Sequence, residues 1–121
     1  MLMKRVVVTG MGALTPIGNT LDAYLEALKE GKSGCDYITL FNTEHFKTKF
    51  ACEVKDFDAA ALVGRKDARR MDRFAQLAVA AADQAIADAQ LDLESIDSDR
   101  VGVIWGATLK YYSSHSHSSQ Q

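Results

Sequence analysis

The chain has 121 residues, 47% of them hydrophobic and 25% charged, with a formal net charge of −2. That balance suits one modest soluble domain and excludes a strongly basic nucleic-acid binder. No run approaches the roughly 18 apolar residues that a membrane span requires, so neither a nucleic-acid nor a membrane partner is expected, and the cytoplasm is the default compartment.

The N-terminus leads through Lys4 and Arg5 into Val6-Val7-Val8, a β-branched run short enough for a strand buried on both faces, and not a secretory leader. Thr9-Gly10-Met11-Gly12 breaks the run, and Pro16 and Gly18 continue the loop. Asn19 is expected to cap a helix, with Asp22 near its positive end. Leu21, Tyr24, Leu25 and Leu28 follow at helical spacing, Lys29 sits in the last turn and Gly31 ends it.

Residues 33–58 carry no clear period. Phe41, Phe46, Phe50 and Phe57 are expected to anchor this irregular stretch, with a short extended piece near 48–54. The clearest element is a helix over about residues 68–90, striped by Met71, Phe74, Ala78, Ala81, Ala82, Ala85 and Ala89. Alanine has the best helix propensity and lets neighbours approach closely, which fits a crowded centre. Asp92 to Asp99 reads as a polar turn, and Val101-Gly102-Val103-Ile104-Trp105 as a second buried strand. The order β-α-loop-α-β suggests an α/β layer architecture. From Ala107 the composition changes, ending in a Ser/His/Gln tract over 113–121 that is expected to be disordered.

Several groups invite chemistry. Gly10-x-Gly12 after a strand suggests a dinucleotide turn, but position 15 is Thr15, followed by Pro16, where the fingerprint needs a third glycine. Cys35 and Cys52 fit no zinc spacing and no disulfide framework, and read as reduced, partly buried structural thiols. Reactive cysteines need an electropositive setting, whereas Glu53 beside Cys52 opposes a thiolate. The histidines are His45, His115 and His117; His115-x-His117 lacks the further ligands of a metal site. No metal or other cofactor is expected. The basic run Arg65, Lys66, Arg69, Arg70 and Arg73 is either a solvated helix end paired with Asp67 and Asp72, or a surface that steers an acidic partner.

The stretch from Lys4 to Asn19 resembles the opening of the β-ketoacyl-acyl-carrier-protein synthases, most nearly their type II, elongating fatty-acid branch. The resemblance continues through Gly31-Lys32-Ser33-Gly34, Phe50-Ala51, Val54-Lys55-Asp56-Phe57, residues 65–74 and Arg100 to Gly106. It implies a thiolase-like α-β-α-β-α fold, of which this chain would be the N-terminal part only, over residues 1–106. It implies condensation of an acyl thioester with malonyl-acyl carrier protein to a 3-oxoacyl product, in a cytoplasmic homodimer. Lys66, Arg69 and Arg70 match the positions where the family docks the carrier protein. The family's nucleophilic cysteine and its two histidines fall beyond the matched region, so no residue here takes those roles. The resemblance therefore implies a chain without catalytic residues of its own, inactive alone and lacking the dimer-forming remainder. Residues 107–121 depart from the family pattern, as a shifted reading frame near codon 107 would produce. Two other readings are a residual carrier-binding module and a nucleotide-binding α/β protein.

Overall fold

A computed structural model of the chain describes residues 4–106, and the tail with His115 and His117 lies outside the described residues. The N-terminal valines are not a strand. Val6, Val7 and Val8 are 90%, 64% and 80% exposed and have no ladder partner among the described residues. Their β-branched side chains favour extended backbone, but a strand exists only where a neighbour accepts its hydrogen bonds.

The chain then runs along a long helix near its other end. Met11 N donates to Asp88 Oδ2 at 2.9 Å, Ala13 N to Gln84 Oε1 at 3.0 Å, and Gln84 Nε2 to the carbonyl of Asn19 at 2.7 Å. A tight turn follows in which Thr15 and Gly18 exchange backbone hydrogen bonds of 2.9 and 3.3 Å, with Pro16 fixing the backbone at its second position.

Helix α1 spans Leu21–Lys29. Its cap is Thr20, one residue later than expected, whose hydroxyl accepts from Ala23 N at 3.2 Å. Asn19 is used elsewhere: its side-chain amide donates to the carbonyl of Lys55 at 2.8 Å. The helix stops where the sequence says it should. Gly31 adopts φ +67°, and Gly31 N and Lys32 N close onto the carbonyls of Leu28 and Ala27, the paired bonds of a Schellman ending.

Strands β1 (Asp36–Tyr37) and β2 (Phe50–Ala51) pair antiparallel, with Asp36 opposite Ala51 and Tyr37 opposite Phe50. Polar side chains tie the base of this hairpin. Lys55 Nζ meets Asp36 Oδ2 at 2.6 Å, and the Glu53 carboxylate accepts from Thr39 Oγ1 at 2.7 Å and from Thr39 N at 3.2 Å. The phenylalanines anchor less than expected. Phe41 and Phe46 stack edge to face at 5.3 Å yet remain 52% and 57% exposed, and Phe50 is exposed too.

The helix expected over 68–90 starts later, at Arg73, and two short helices precede it. Helix α2 (Ala59–Val63) is capped by Asp58 and closed at Gly64, α3 (Arg65–Ala68) is one turn, and α4 runs Arg73–Asp88. The break falls at Asp72, whose ψ of 154° is extended. Helix α4 ends in a second Schellman pair, Gln90 N to Ala87 O and Leu91 N to Ile86 O, with the non-glycine Gln90 at φ +50°. After a 3-10 turn at Ser98–Arg100, the segment expected as a strand makes no ladder; Val103 and Ile104 are 73% and 99% exposed.

The described residues are thus mixed helix and strand, with a two-stranded ladder as their sheet. The buried hydrophobic residues are Ala27, Ala59, Ala68 and Ala80, all small. Burying a valine or leucine contributes about 1.5–3 kcal/mol. Little of that is gained here.

Candidate functional site

The basic run lies on the short structure between α2 and α4. Gly64 takes φ +82°, a region L side chains rarely enter, which lets α2 end and α3 begin at one residue. Ala68 N bonds to Gly64 O at 3.0 Å, and Arg70 N and Met71 N both bond to Asp67 O, at 3.0 and 3.1 Å. Ala68 is the buried residue of α3, while Lys66, Arg69 and Arg70 are exposed. The local pairing that Asp67 and Asp72 offered does not form: the ion pairs among the described residues are Lys29–Glu26 and Lys55–Asp36. Three cations therefore stand on one turn without a carboxylate partner.

Arg73 belongs to the same run in sequence but has a different role. Its guanidinium donates to the carbonyls of Phe57 and Val54, each at 3.4 Å, and lies 4.8 Å from the centre of the Phe57 ring. A cation over an aromatic face contributes about 0.5–1 kcal/mol at an exposed position. Gln76, not singled out by the sequence, donates from Nε2 to the carbonyl of Ala68 at 2.8 Å. Arg65, Arg69 and Arg73 rim a shallow open depression floored by Phe57, Ala68 and Gln76.

The other candidates are placed apart. Cys35 and Cys52 are both exposed, which corrects the expectation of partial burial; each lies in the short, two-faced hairpin region, where little covers a side chain. The hydrogen bond from Thr39 holds the Glu53 carboxyl below its usual range, so a negative charge stands next to Cys52. His45 is exposed in the hairpin loop. Among the described residues no three His, Cys, Asp or Glu side chains gather as a metal site.

Gly10 and Gly12 do not open onto a helix N-terminus. A Cβ on Gly10 would lie 2.6 Å from Ala89 N, and one on Gly12 would lie 2.8 Å from Gln84 Cβ and collide with the Ala81 carbonyl. The two glycines are there because the backbone presses against the alanine face of α4. Space for a phosphate is filled by that helix.

A sequence profile described as "Beta-ketoacyl synthase, N-terminal domain" matches residues 3–121. The chain belongs to the β-ketoacyl synthase family. A 3-oxoacyl-[acyl-carrier-protein] synthase 2 of Synechocystis is 52% identical over 103 residues, covering 85% of this chain and 25% of that protein. The protein of the same name from Vibrio harveyi is 47% identical over 107 residues, covering 88% of this chain and 26% of that protein. A solved structure, the ishigamide ketosynthase/chain length factor, superposes with a TM-score of 0.64 at 41% identity, over 73% of this chain and 22% of that one. The ketoacyl-synthase chain thus spans about a quarter of the length of the curated relatives it matches. The profile match runs through residue 121, beyond Gly106, where the change in composition begins.

Proposed function

We propose that this chain provides the N-terminal portion of a fatty-acid condensing enzyme, and that its own contribution is to receive acyl carrier protein on Lys66, Arg69 and Arg70. The observation that carries the reading is the three exposed cations, without an ion-pair partner among the described residues, on α3 and the turn that follows it, in a chain 52% identical over 103 residues to a 3-oxoacyl-[acyl-carrier-protein] synthase 2. An acidic helix approaching that turn is steered by it. Exposed charge of this kind raises the association rate more than the final affinity, and it is screened by salt.

In the whole enzyme an acyl group is held as a thioester on a cysteine. Malonyl-acyl carrier protein loses carbon dioxide, and the resulting enolate carbon attacks the thioester, giving 3-oxoacyl-acyl carrier protein and freeing the thiolate. That chemistry needs a low-pKa thiol and donors for the oxyanion. Cys35 and Cys52 are not placed for that role: both lie in the hairpin region and neither begins a helix. The nucleophile, the two histidines and the dimer contacts belong to the remainder of the relatives' length. The thiolase-like layers are completed there too, in a cytoplasmic homodimer. The role proposed for the described residues is to receive carrier, not to condense.

Two measurements test this. Incubated with acyl thioester and malonyl-acyl carrier protein, the chain should release no 3-oxoacyl product; turnover would overturn the assignment of chemistry. In a binding titration against holo-acyl-carrier protein, the double change Arg69→Glu and Arg70→Glu should slow association about tenfold. An unchanged rate, or a wild-type rate indifferent to salt, would remove the docking reading.

A further inference from the structure

The three docking cations are useful only if the turn that carries them keeps its shape. Helix α3 is a single turn, too short to hold itself by cooperative hydrogen bonding. The carbonyls of Ala68 and Met71, on either side of Arg69 and Arg70, receive no backbone N–H among the described residues. Both are satisfied by one side chain. Gln76 Nε2 donates to Ala68 O at 2.8 Å and to Met71 O at 3.3 Å. Its Oε1 in turn faces Arg73 Nη1 at 3.5 Å, and the Arg73 guanidinium is held on the carbonyls of Val54 and Phe57. The brace therefore runs from the end of the hairpin region, through Arg73 and Gln76, to both ends of the turn bearing Arg69 and Arg70.

We propose that Gln76 is a positioning residue for carrier docking: its amide fixes the reversal between α3 and α4 so that Lys66, Arg69 and Arg70 face outward together. The inference rests on the docking reading given above. It assigns Gln76 no contact with the carrier. A glutamine suits the place because it offers two N–H donors to the two carbonyls and an acceptor to the guanidinium, with no charge of its own to offset the cations. Other side chains of its length fail in one respect each. Methionine lacks the donors, and glutamate at neutral pH presents only acceptors to carbonyl oxygens.

The test measures association of the full 121-residue chain with immobilised holo-acyl-carrier protein for wild type, Gln76→Met, Gln76→Glu and the Arg69→Glu, Arg70→Glu double variant. Gln76→Met should slow association about three- to tenfold, because scattering fixed charges weakens steering. Gln76→Glu should slow association at least as much at about pH 7.5, since a carboxylate offers the two carbonyls no donor. Amide exchange supplies the second readout: Arg70 and Met71 should exchange faster in Gln76→Met while the α1 amides stay unchanged. Wild-type association by both Gln76 variants, with the double variant slowed, overturns the proposal and leaves the docking reading standing. Faster exchange in α1 and in the turn alike also overturns it, since Gln76 would then support the whole chain. A double variant that associates like wild type removes the docking reading, and the proposal falls with it.

Discussion

Between Val54 and Gln76 the chain is cross-braced by its own polar atoms, whereas at Val6–Val8 and Val101–Trp105 it is held by almost nothing. In the first region Arg73 ties two carbonyls and a ring, Gln76 ties two more carbonyls, and Asp58 caps α2. In the second, apolar side chains as large as Ile104 and Trp105 stand 99% and 52% exposed. Hydrogen bonds and caps are satisfied by neighbours a few residues away, so a short chain can complete them. Apolar burial needs area from opposing layers, and the four buried alanines offer little. The polar geometry of the first region is therefore complete within the described residues, while the apolar side chains of the second stand open.

Three perturbations separate these regions. The largest effect is expected at the seam between residues 10–13 and α4. Gly12→Val places a Cβ against the Ala81 carbonyl and should cost about 3 kcal/mol, releasing the segment. Amide exchange at Met11 and Ala13 would then approach unprotected rates; retained protection would show the seam to be looser than it looks. A smaller effect is expected in the hairpin under acid. Hydrogen bonding from Lys55 holds the Asp36 carboxyl below its ordinary 3.8, and that from Thr39 holds Glu53 below 4.5. Depressed carboxyl values mean that the stabilisation is present above those ordinary values and is lost as pH falls through the depressed ones. Lys55 is shifted upward by Asp36, so its share persists until pH rises beyond 10.5. The protection factor of Ile38 N, which donates to Lys49 O across the ladder, should therefore fall on acidification below the usual carboxylate range and be flat through neutrality. The smallest effect is expected at the open end. Ile104→Lys should change stability by no more than about 0.5 kcal/mol while reducing the binding of an apolar dye. A loss of about 2 kcal/mol would mean that the segment is packed after all, and the contrast would collapse.

What could be read from the sequence follows the same division. Helix α1 and its stop at Gly31 were legible because propensity, charge placement and a left-handed glycine all act within a few residues. The basic turn was legible as a run of charge. Its freedom from Asp67 and Asp72 was not, since both arrangements share one spacing. The break at Asp72 was hidden because Met71 and Phe74 continue the apolar stripe across it; the signal was an Asp in N-cap position before Arg73. Val6–Val8 and Val101–Trp105 read as strands because β-branching reports a local preference, while the ladder depends on a partner far away. Gln84 and Asp88, one helical turn apart, serve the backbone of residues 11–19, a pairing that no local pattern announces.

The seam along α4 also bears on the order in which the molecule assembles. The bond from Met11 to Asp88 joins residues 77 apart, and that from Ala13 to Gln84 joins residues 71 apart. Closing such a loop costs chain entropy before any contact offsets it, whereas α4 is a local structure that can form by itself within microseconds. During synthesis, residues 6–14 leave the ribosome long before Gln84 and Asp88 exist. The N-terminal segment must therefore stay unpaired and apolar until α4 emerges, and the glycines at 10 and 12 then let it lie down on a helix that is already made.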